Sequence, residues 1–184
     1  MKEKIVFVDC DGVILDSEQR MLRKKEERGF LNHYDEKEFD DYFALADMLD
    51  GEWEYIICGA KSINNSVEII RELEMMKKNI AILTKIHSLK EMKIKAYDLR
   101  ENRNIFSPII FVPPDVQKHN IILPNEQLLI DDSEKNITGW INNGGNGLLF
   151  DLNREKIINC LIKNHDYKEN SEVSFKKRRL KKWE

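Results

Sequence analysis

Residues 5–13 read Ile-Val-Phe-Val-Asp-Cys-Asp-Gly-Val, a hydrophobic run that ends in two aspartates. A short, continuous apolar run is typical of a strand that is buried on both faces of a parallel sheet. We therefore predict a first strand from Lys4 to Val8. Asp9 and Asp11 follow it directly, and with an extended chain their side chains would lie on the same face.

From Ile80 onward, apolar runs alternate with helical patterns. Strands are predicted at 80–83, 109–112, 128–130 and 147–150, and helices at 88–100, 133–142 and 154–164. Such alternation with short connections is typical of a parallel sheet covered by helices on both faces. We therefore expect an α/β fold with a Rossmann-like core made of residues 1–16 and 80–166.

The segment 17–79 interrupts this alternation because its pattern is helical throughout. Ser17 is placed to cap a helix that ends near Gly29, and Asp35 forms a capping-box pattern before a second helix. A third helix is predicted at 66–78. We expect the whole segment to be a small helical cap, inserted after the first strand, that governs substrate choice.

Polar side chains follow three of the predicted strands. Asp9 and Asp11 follow the first, Thr84 the second, and Asp131 and Asp132 the strand at 128–130. Ligands gather at the carboxyl ends of parallel strands, so these groups are predicted to share one edge of the sheet. Clustered carboxylates repel unless a cation neutralises them, and oxygen ligands favour Mg²⁺. The scattered histidines, none paired at i, i+4, argue against zinc.

The same residues resemble the motifs of the haloacid dehalogenase (HAD) superfamily of phosphohydrolases, over most of the chain. The run Asp9-Cys10-Asp11-Gly12-Val13 matches the first motif, Thr84 the second and Asp131-Asp132 the fourth. The third motif is a lysine upstream of the fourth. We assign it to Lys118, with Lys85 and Lys135 as rival candidates.

The resemblance implies a mechanism. Asp9 would attack phosphorus and form an aspartyl-phosphate, and Asp11 would protonate the leaving oxygen and later activate water. Thr84 would donate to a phosphoryl oxygen, and Lys118 would balance the charge on the phosphate. Mg²⁺ would be held by Asp9, the backbone carbonyl of Asp11, and one or both of Asp131 and Asp132. We therefore expect a magnesium-dependent phosphomonoester hydrolase.

Val13, Asp16 and the run 128–133 look closest to the 5′(3′)-deoxyribonucleotidase-type branch, which implies nucleoside monophosphates as substrates. The alternatives are a polynucleotide end phosphatase, a sugar-phosphate phosphatase, a phosphotransferase or mutase, and a non-catalytic binding protein on the same fold. The presence of both Asp9 and Asp11 speaks against the last. Aromatic residues of the cap could stack on a base, although at helical spacing they are more often cap core: Phe39, Tyr42, Phe43, Trp53 and Tyr55.

Composition limits the other functions. A chain of 184 residues that is 41% hydrophobic suits one domain. No apolar run approaches the roughly 20 residues of a membrane span. Three scattered cysteines, Cys10, Cys58 and Cys160, predict a reducing, cytoplasmic setting. The C-terminal tail, 167–184, is basic at 176–182 and could bind nucleic acid or an acidic partner. We favour a soluble terminus or a last helix that lies on the acidic body. The sequence makes no prediction of oligomeric state.

Overall fold

A computed structural model describes residues 4–31 and 35–150 of the chain. It contains a five-stranded parallel sheet in the order β3-β2-β1-β4-β5, which confirms the predicted α/β fold. The strands are β1 (Val6–Val8), β2 (Ile80–Lys85), β3 (Ile109–Val112), β4 (Leu128–Asp131) and β5 (Asn146–Leu149). The predicted helix at 154–164 and the basic tail lie outside the described residues.

Strand β1 occupies the centre of the sheet, between β2 and β4. Val8 pairs with Ile82 of β2 on one side and with Ile130 of β4 on the other. All three strands run in the same direction, so their carboxyl ends meet at one edge. The residues that follow β1, β2 and β4 are therefore brought together, as the sequence predicted.

Seven α-helices and one π-helical turn lie in the described ranges. They are α1 (Glu18–Glu27), α2 (Glu36–Met48), α3 (Glu52–Cys58), α4 (Ser66–Met75), α5 (Leu89–Tyr97), the π-helical turn (Asp98–Asn102), α6 (Lys118–Ile121) and α7 (Glu134–Asn142). Helices α3 and α6 were not predicted, because at 7 and 4 residues they are too short for a clear helical period. None of these helices is both long and apolar enough to cross a membrane.

The two faces of the sheet carry separate hydrophobic clusters, as expected from the alternation of side chains along each strand. Val6 and Val8 face a cluster that includes α4, whereas Phe7 faces the opposite cluster with Trp140 of α7. The rings of Phe7 and Trp140 meet edge to face, with centroids 5.4 Å apart. Both faces of β1 are thus buried, which accounts for its uniformly apolar sequence.

The segment predicted as a cap, 17–79, does not pack as one unit. Helices α1, α2 and α3 surround their own cluster, centred on Tyr42 and Trp53. Helix α4 instead packs on the sheet through Val67, Ile70 and Leu73. The predicted cap boundary at 79 stays a prediction. An apolar stripe shows that a helix buries one face, but it does not identify the surface that the helix packs against.

Candidate active site

The loop after β1 is a tight turn rather than a continued strand. The backbone N–H groups of Ile14 and Leu15 both donate to the Cys10 carbonyl, at 2.8 and 2.9 Å, and Gly12 has a φ of 71°. Asp9 and Asp11 contact separate lysines, Lys118 and Lys95, and both aspartates line one cavity. That their side chains lie on one face and reach the same phosphoryl group stays a prediction.

Asp9 is paired with Lys118, the lysine assigned to the third motif. Lys118 Nζ lies 2.9 Å from Asp9 Oδ1 and 2.6 Å from Asp131 Oδ2, and its side chain is 1% exposed. Burial raises the pKa of Asp9 to about 7, although Lys118 opposes this rise. Of the rival lysines, Lys85 donates to the Pro114 carbonyl at 3.1 Å and Lys135 lies exposed at the cavity wall.

The adjacent aspartates Asp131 and Asp132 have different surroundings. Asp131 is fully buried, and its Oδ1 accepts hydrogen bonds from the backbone N–H of Ser133, at 2.9 Å, and from Asn136 Nδ2, at 3.1 Å. Its Oδ2 accepts from Lys118, at 2.6 Å. Asp132 is exposed and lines the cavity. Asp132 is therefore free to bind a ligand, whereas Asp131 is held by the protein.

The donor atoms at this edge fit a hard divalent cation. Carboxylate oxygens of Asp9, Asp131 and Asp132 lie within 4.8 Å of one another. Oxygen donors of this kind suit Mg²⁺. Asp131 accepts hydrogen bonds on both oxygens, and which of Asp131 and Asp132 would contact the ion directly stays a prediction.

Asp11 is surrounded by a second set of donors, on the other side of β1. Lys95 Nζ lies 2.7 Å from Asp11 Oδ2, and Ser17 Oγ donates to Asp11 Oδ1 at 2.6 Å. Ser17 occupies the predicted N-cap position of α1, but its side chain makes no capping hydrogen bond to the helix. Lys95 was missed from sequence, where the only signal that separates it from Lys90 and Lys93 is Glu91, four residues before it on the same helix.

Thr84 lies at the end of β2, next to Asp11, as its position in the sequence suggested. Its side chain is fully buried, and its hydroxyl is 3.4 Å from Asp11 Oδ2 and 3.3 Å from the Lys85 carbonyl. Thr84 is therefore positioned to support Asp11. Donation from Thr84 to a phosphoryl oxygen stays a prediction.

A cavity of about 640 Å³ opens between the sheet edge and helices α1–α3. Its acidic base is formed by Asp9, Asp11 and Asp132. The wall on the core side includes Lys85, His87, Glu91, Gln117, Lys135 and Asn136. The wall on the helical side includes Met21, Phe39, Phe43, Trp53 and Ile56. The cavity therefore combines acidic, cationic and apolar surfaces.

Most of the cap aromatics form core or are otherwise engaged. Tyr42 and Trp53 are buried, and Trp53 Nε1 donates to Asp47 Oδ1 at 2.7 Å. Phe43 stacks on His87, with centroids 3.7 Å apart, and on Trp53, at 5.8 Å. Tyr55 lies under the guanidinium of Arg20, 4.0 Å from the ring centroid. Base stacking by these rings stays a prediction.

No protein-family model matches the sequence, and no curated protein matches it either. Solved structures do share the fold. A HAD-superfamily hydrolase from Ehrlichia chaffeensis is 14% identical, and the match covers 90% of this chain and 99% of that chain with a TM-score of 0.54. A HAD hydrolase of family IA, variant 3, from Entamoeba histolytica is 12% identical, with coverages of 82% and 85% and a TM-score of 0.59.

A third similar structure is a HAD family enzyme from Bacteroides thetaiotaomicron, determined in complex with magnesium and inorganic phosphate. It is 14% identical, and the match covers 82% of this chain and 95% of that chain with a TM-score of 0.54. At these identities the likeness shows the fold alone. The chain has a HAD-like α/β fold.

Proposed function

We propose that the protein is a HAD-type, magnesium-dependent phosphomonoester hydrolase that acts on small phosphate esters, with nucleoside monophosphates preferred. One observation carries this proposal. Asp9 and Asp11 line the same cavity, while Lys118 bridges Asp9 and Asp131 at 2.9 and 2.6 Å. The proposed nucleophile, acid–base group and charge-balancing cation are therefore near enough to one another to act on one phosphate ester.

The reaction would proceed in two steps. An Asp9 oxygen attacks phosphorus, the ester P–O bond breaks, and the leaving oxygen takes a proton from Asp11. Asp11 then removes a proton from water, whose oxygen attacks the phosphorus of the aspartyl-phosphate. The bond between phosphorus and Asp9 breaks, orthophosphate is released, and both aspartates return to their starting states. Lys118 offsets the negative charge that gathers around Asp9 in both steps.

Asp9 and Asp132, with the backbone carbonyl of Asp11, are the groups that would hold Mg²⁺. Bound there, the ion would supply charge neutralisation for the phosphoryl group. Asp131 would support these ligands without binding the ion, since it accepts hydrogen bonds from Lys118 and Asn136. Asn136 and Lys118 would thus fix the position of the acidic residues without contacting the ion.

The cavity supports a substrate of nucleotide size. Its volume of about 640 Å³ lies within the range of roughly 300–1,000 Å³ that is common for small-molecule sites. Lys85 and Lys135 supply positive charge, and Phe39 with Met21 supplies apolar contact. A sugar-phosphate phosphatase, a polynucleotide end phosphatase that uses the tail at 176–182, and a binding protein remain the alternatives. A cytoplasmic location is part of the proposal, and the two described cysteines, Cys10 and Cys58, are free.

A panel of phosphate esters assayed with Mg²⁺ tests the proposal. We expect phosphate release that is abolished by EDTA and by Asp9→Asn but retained by Asp50→Asn, which alters a fully exposed aspartate. Release that survives Asp9→Asn would show that Asp9 is not the nucleophile. If no ester in the panel releases phosphate, the hydrolase proposal is wrong and the binding-protein alternative gains support.

A further inference from the structure

Lys95 is a fully buried lysine that lies next to Asp11. Its Nζ atom is 2.7 Å from Asp11 Oδ2, 2.9 Å from Glu91 Oε1 and 3.0 Å from the Lys85 carbonyl oxygen. These contacts use all three hydrogens of the ammonium group. A buried ammonium is costly unless it is paired, so this arrangement requires both carboxylates. Burial lowers the pKa of Lys95, but Asp11 and Glu91 outweigh it and raise the pKa.

Lys95 limits the motion of the Asp11 carboxylate. The side chain of Asp11 is 39% exposed and lies at the cavity, so solvent alone would leave it free to rotate. Lys95 holds Oδ2, and Ser17 holds Oδ1 at 2.6 Å. With both oxygens engaged, the carboxylate has one defined orientation beside Asp9.

Glu91 holds Lys95 from the opposite side. Its Oε1 pairs with Lys95, and its Oε2 accepts a hydrogen bond from the backbone N–H of His87 at 2.6 Å. Glu91 and Lys95 are one helical turn apart on α5. Ser88 caps the N-terminal end of that helix. Lys95 is therefore fixed by a rigid element rather than by a loop.

We propose that Lys95 is a positioning residue: by holding Oδ2 of Asp11, it fixes the side chain so that the protonated acid presents the hydrogen on its other oxygen, Oδ1, to the leaving oxygen. The inference rests on the proposed function and adds to it a residue outside the four motifs. The competing interpretation is that the buried pair contributes to stability alone. The two interpretations differ in how the rate depends on the leaving group.

That dependence provides a specific test. Proton donation matters most when the leaving group is a strong base, such as an alkoxide, and little when it is a weak base, such as dinitrophenolate. The value of kcat/KM reports the first step, in which the ester bond breaks. A general acid that is poorly oriented should therefore slow the alkyl ester far more than the dinitrophenyl ester.

The experiment compares wild type, Lys95→Met and Lys25→Met on a series of esters from dinitrophenyl to alkyl phosphate. Lys25 is the matched control because it is also fully buried, with Glu38 Oε2 at 3.5 Å from its Nζ atom. For Lys95→Met we expect kcat/KM to fall about 100-fold with the alkyl ester and less than about 5-fold with the dinitrophenyl ester. Lys25→Met should retain the wild-type dependence on the leaving group.

Equal losses on both esters in Lys95→Met would overturn the inference and leave the proposed function intact. Absence of phosphate release by the wild type would refute the proposed function itself. If Lys95→Met does not fold, the double variant Lys95→Met, Glu91→Gln removes the two opposite charges together and leaves Asp11 partly solvated. For the double variant we again compare the fall in kcat/KM with the alkyl ester and the fall with the dinitrophenyl ester. A much larger fall with the alkyl ester supports the inference, and equal falls overturn it.

Discussion

Gly12 and Asp132 are in direct contact: a Cβ atom at Gly12 would lie 1.9 Å from Asp132 Oδ2. Gly12 belongs to the turn after β1, and Asp132 follows β4. The absence of a side chain at Gly12 therefore allows Asp132 to approach the carboxylate of Asp9. The contact links the two segments that would share a cation.

Gly12→Ala should weaken Mg²⁺ binding, because the new methyl group must displace the Asp132 carboxylate. We expect the apparent affinity for Mg²⁺ to fall about 10- to 100-fold, measured by calorimetric titration of the metal-free protein. Gly144→Ala is the matched control, since Gly144 also has a positive φ, 85°, but no atom within 4 Å of the new Cβ position. Equal Mg²⁺ affinity in the two variants would contradict the assignment of Asp132 as a ligand.

Lys118→Met should impair both stability and activity. The substitution leaves Asp9 and Asp131 without the Lys118 ammonium group that they share. Removing one partner of a buried ion pair costs about 3–5 kcal/mol of unfolding free energy. We expect phosphatase activity to fall at least about 100-fold. Urea unfolding and steady-state kinetics provide the two measurements.

Lys85→Met provides the comparison for Lys118, because Lys85 was the rival lysine. Its Nζ atom donates only to the exposed Pro114 carbonyl among the contacts that the structure describes. We expect a higher KM with little loss of unfolding free energy. If Lys85→Met lost more activity and more unfolding free energy than Lys118→Met, the charge-balancing role would belong to Lys85.

Glu91 should make stability depend on pH. Burial raises its pKa, but Lys95 and His87 outweigh this effect and lower the pKa from 4.5 to about 2. A carboxyl group with a lowered pKa stabilises the folded state above its unfolded pKa and loses that contribution as the pH falls. At pH 7 the free energy of unfolding of the wild type should exceed that of Glu91→Gln by on the order of 3 kcal/mol. This difference should shrink as the pH falls from 4.5 to 2.

Urea unfolding of both proteins at a series of pH values measures this gap. Glu27→Gln serves as the control, because Glu27 pairs with Lys24 on the exposed face of α1 and such pairs contribute little. A gap that does not change with pH would show that the Glu91 ion pair is not its source.

Phe43→Ala should loosen the contact between the cap and the core. The Phe43 ring stacks on His87 of the core and on Trp53 of the cap, so its loss removes both contacts. We expect a loss of about 2–4 kcal/mol in unfolding free energy and a higher KM, since the ring also lines the cavity. Met48→Ala, on the same helix and 80% exposed, should leave both unchanged. An unchanged KM in Phe43→Ala would separate this contact from substrate binding.

The sequence was sufficient to predict the strands and to predict that the acidic residues lie at one edge of the sheet. The run at 5–8 is apolar because β1 is covered on both faces, and the same reason applies to β2 and β4. Buried parallel strands leave a local pattern, and the residues after them must meet because the strands run parallel. The positions of Asp9, Thr84 and Asp131 at one edge followed from these two rules.

The partners of these residues depended on contacts between distant segments. Lys95 lies 84 residues from Asp11, and Lys118 lies 13 residues from Asp131. Lys118 was assigned through the resemblance to a known family, but among the 30 Lys and Arg residues only the packing of α5 shows that Lys95 is a buried partner of Asp11. Packing also separated Asp131 from Asp132 and placed α4 on the sheet. Apolar periodicity arises from neighbours along the chain, whereas the burial and pairing of charges arise from elements that meet only in the folded protein.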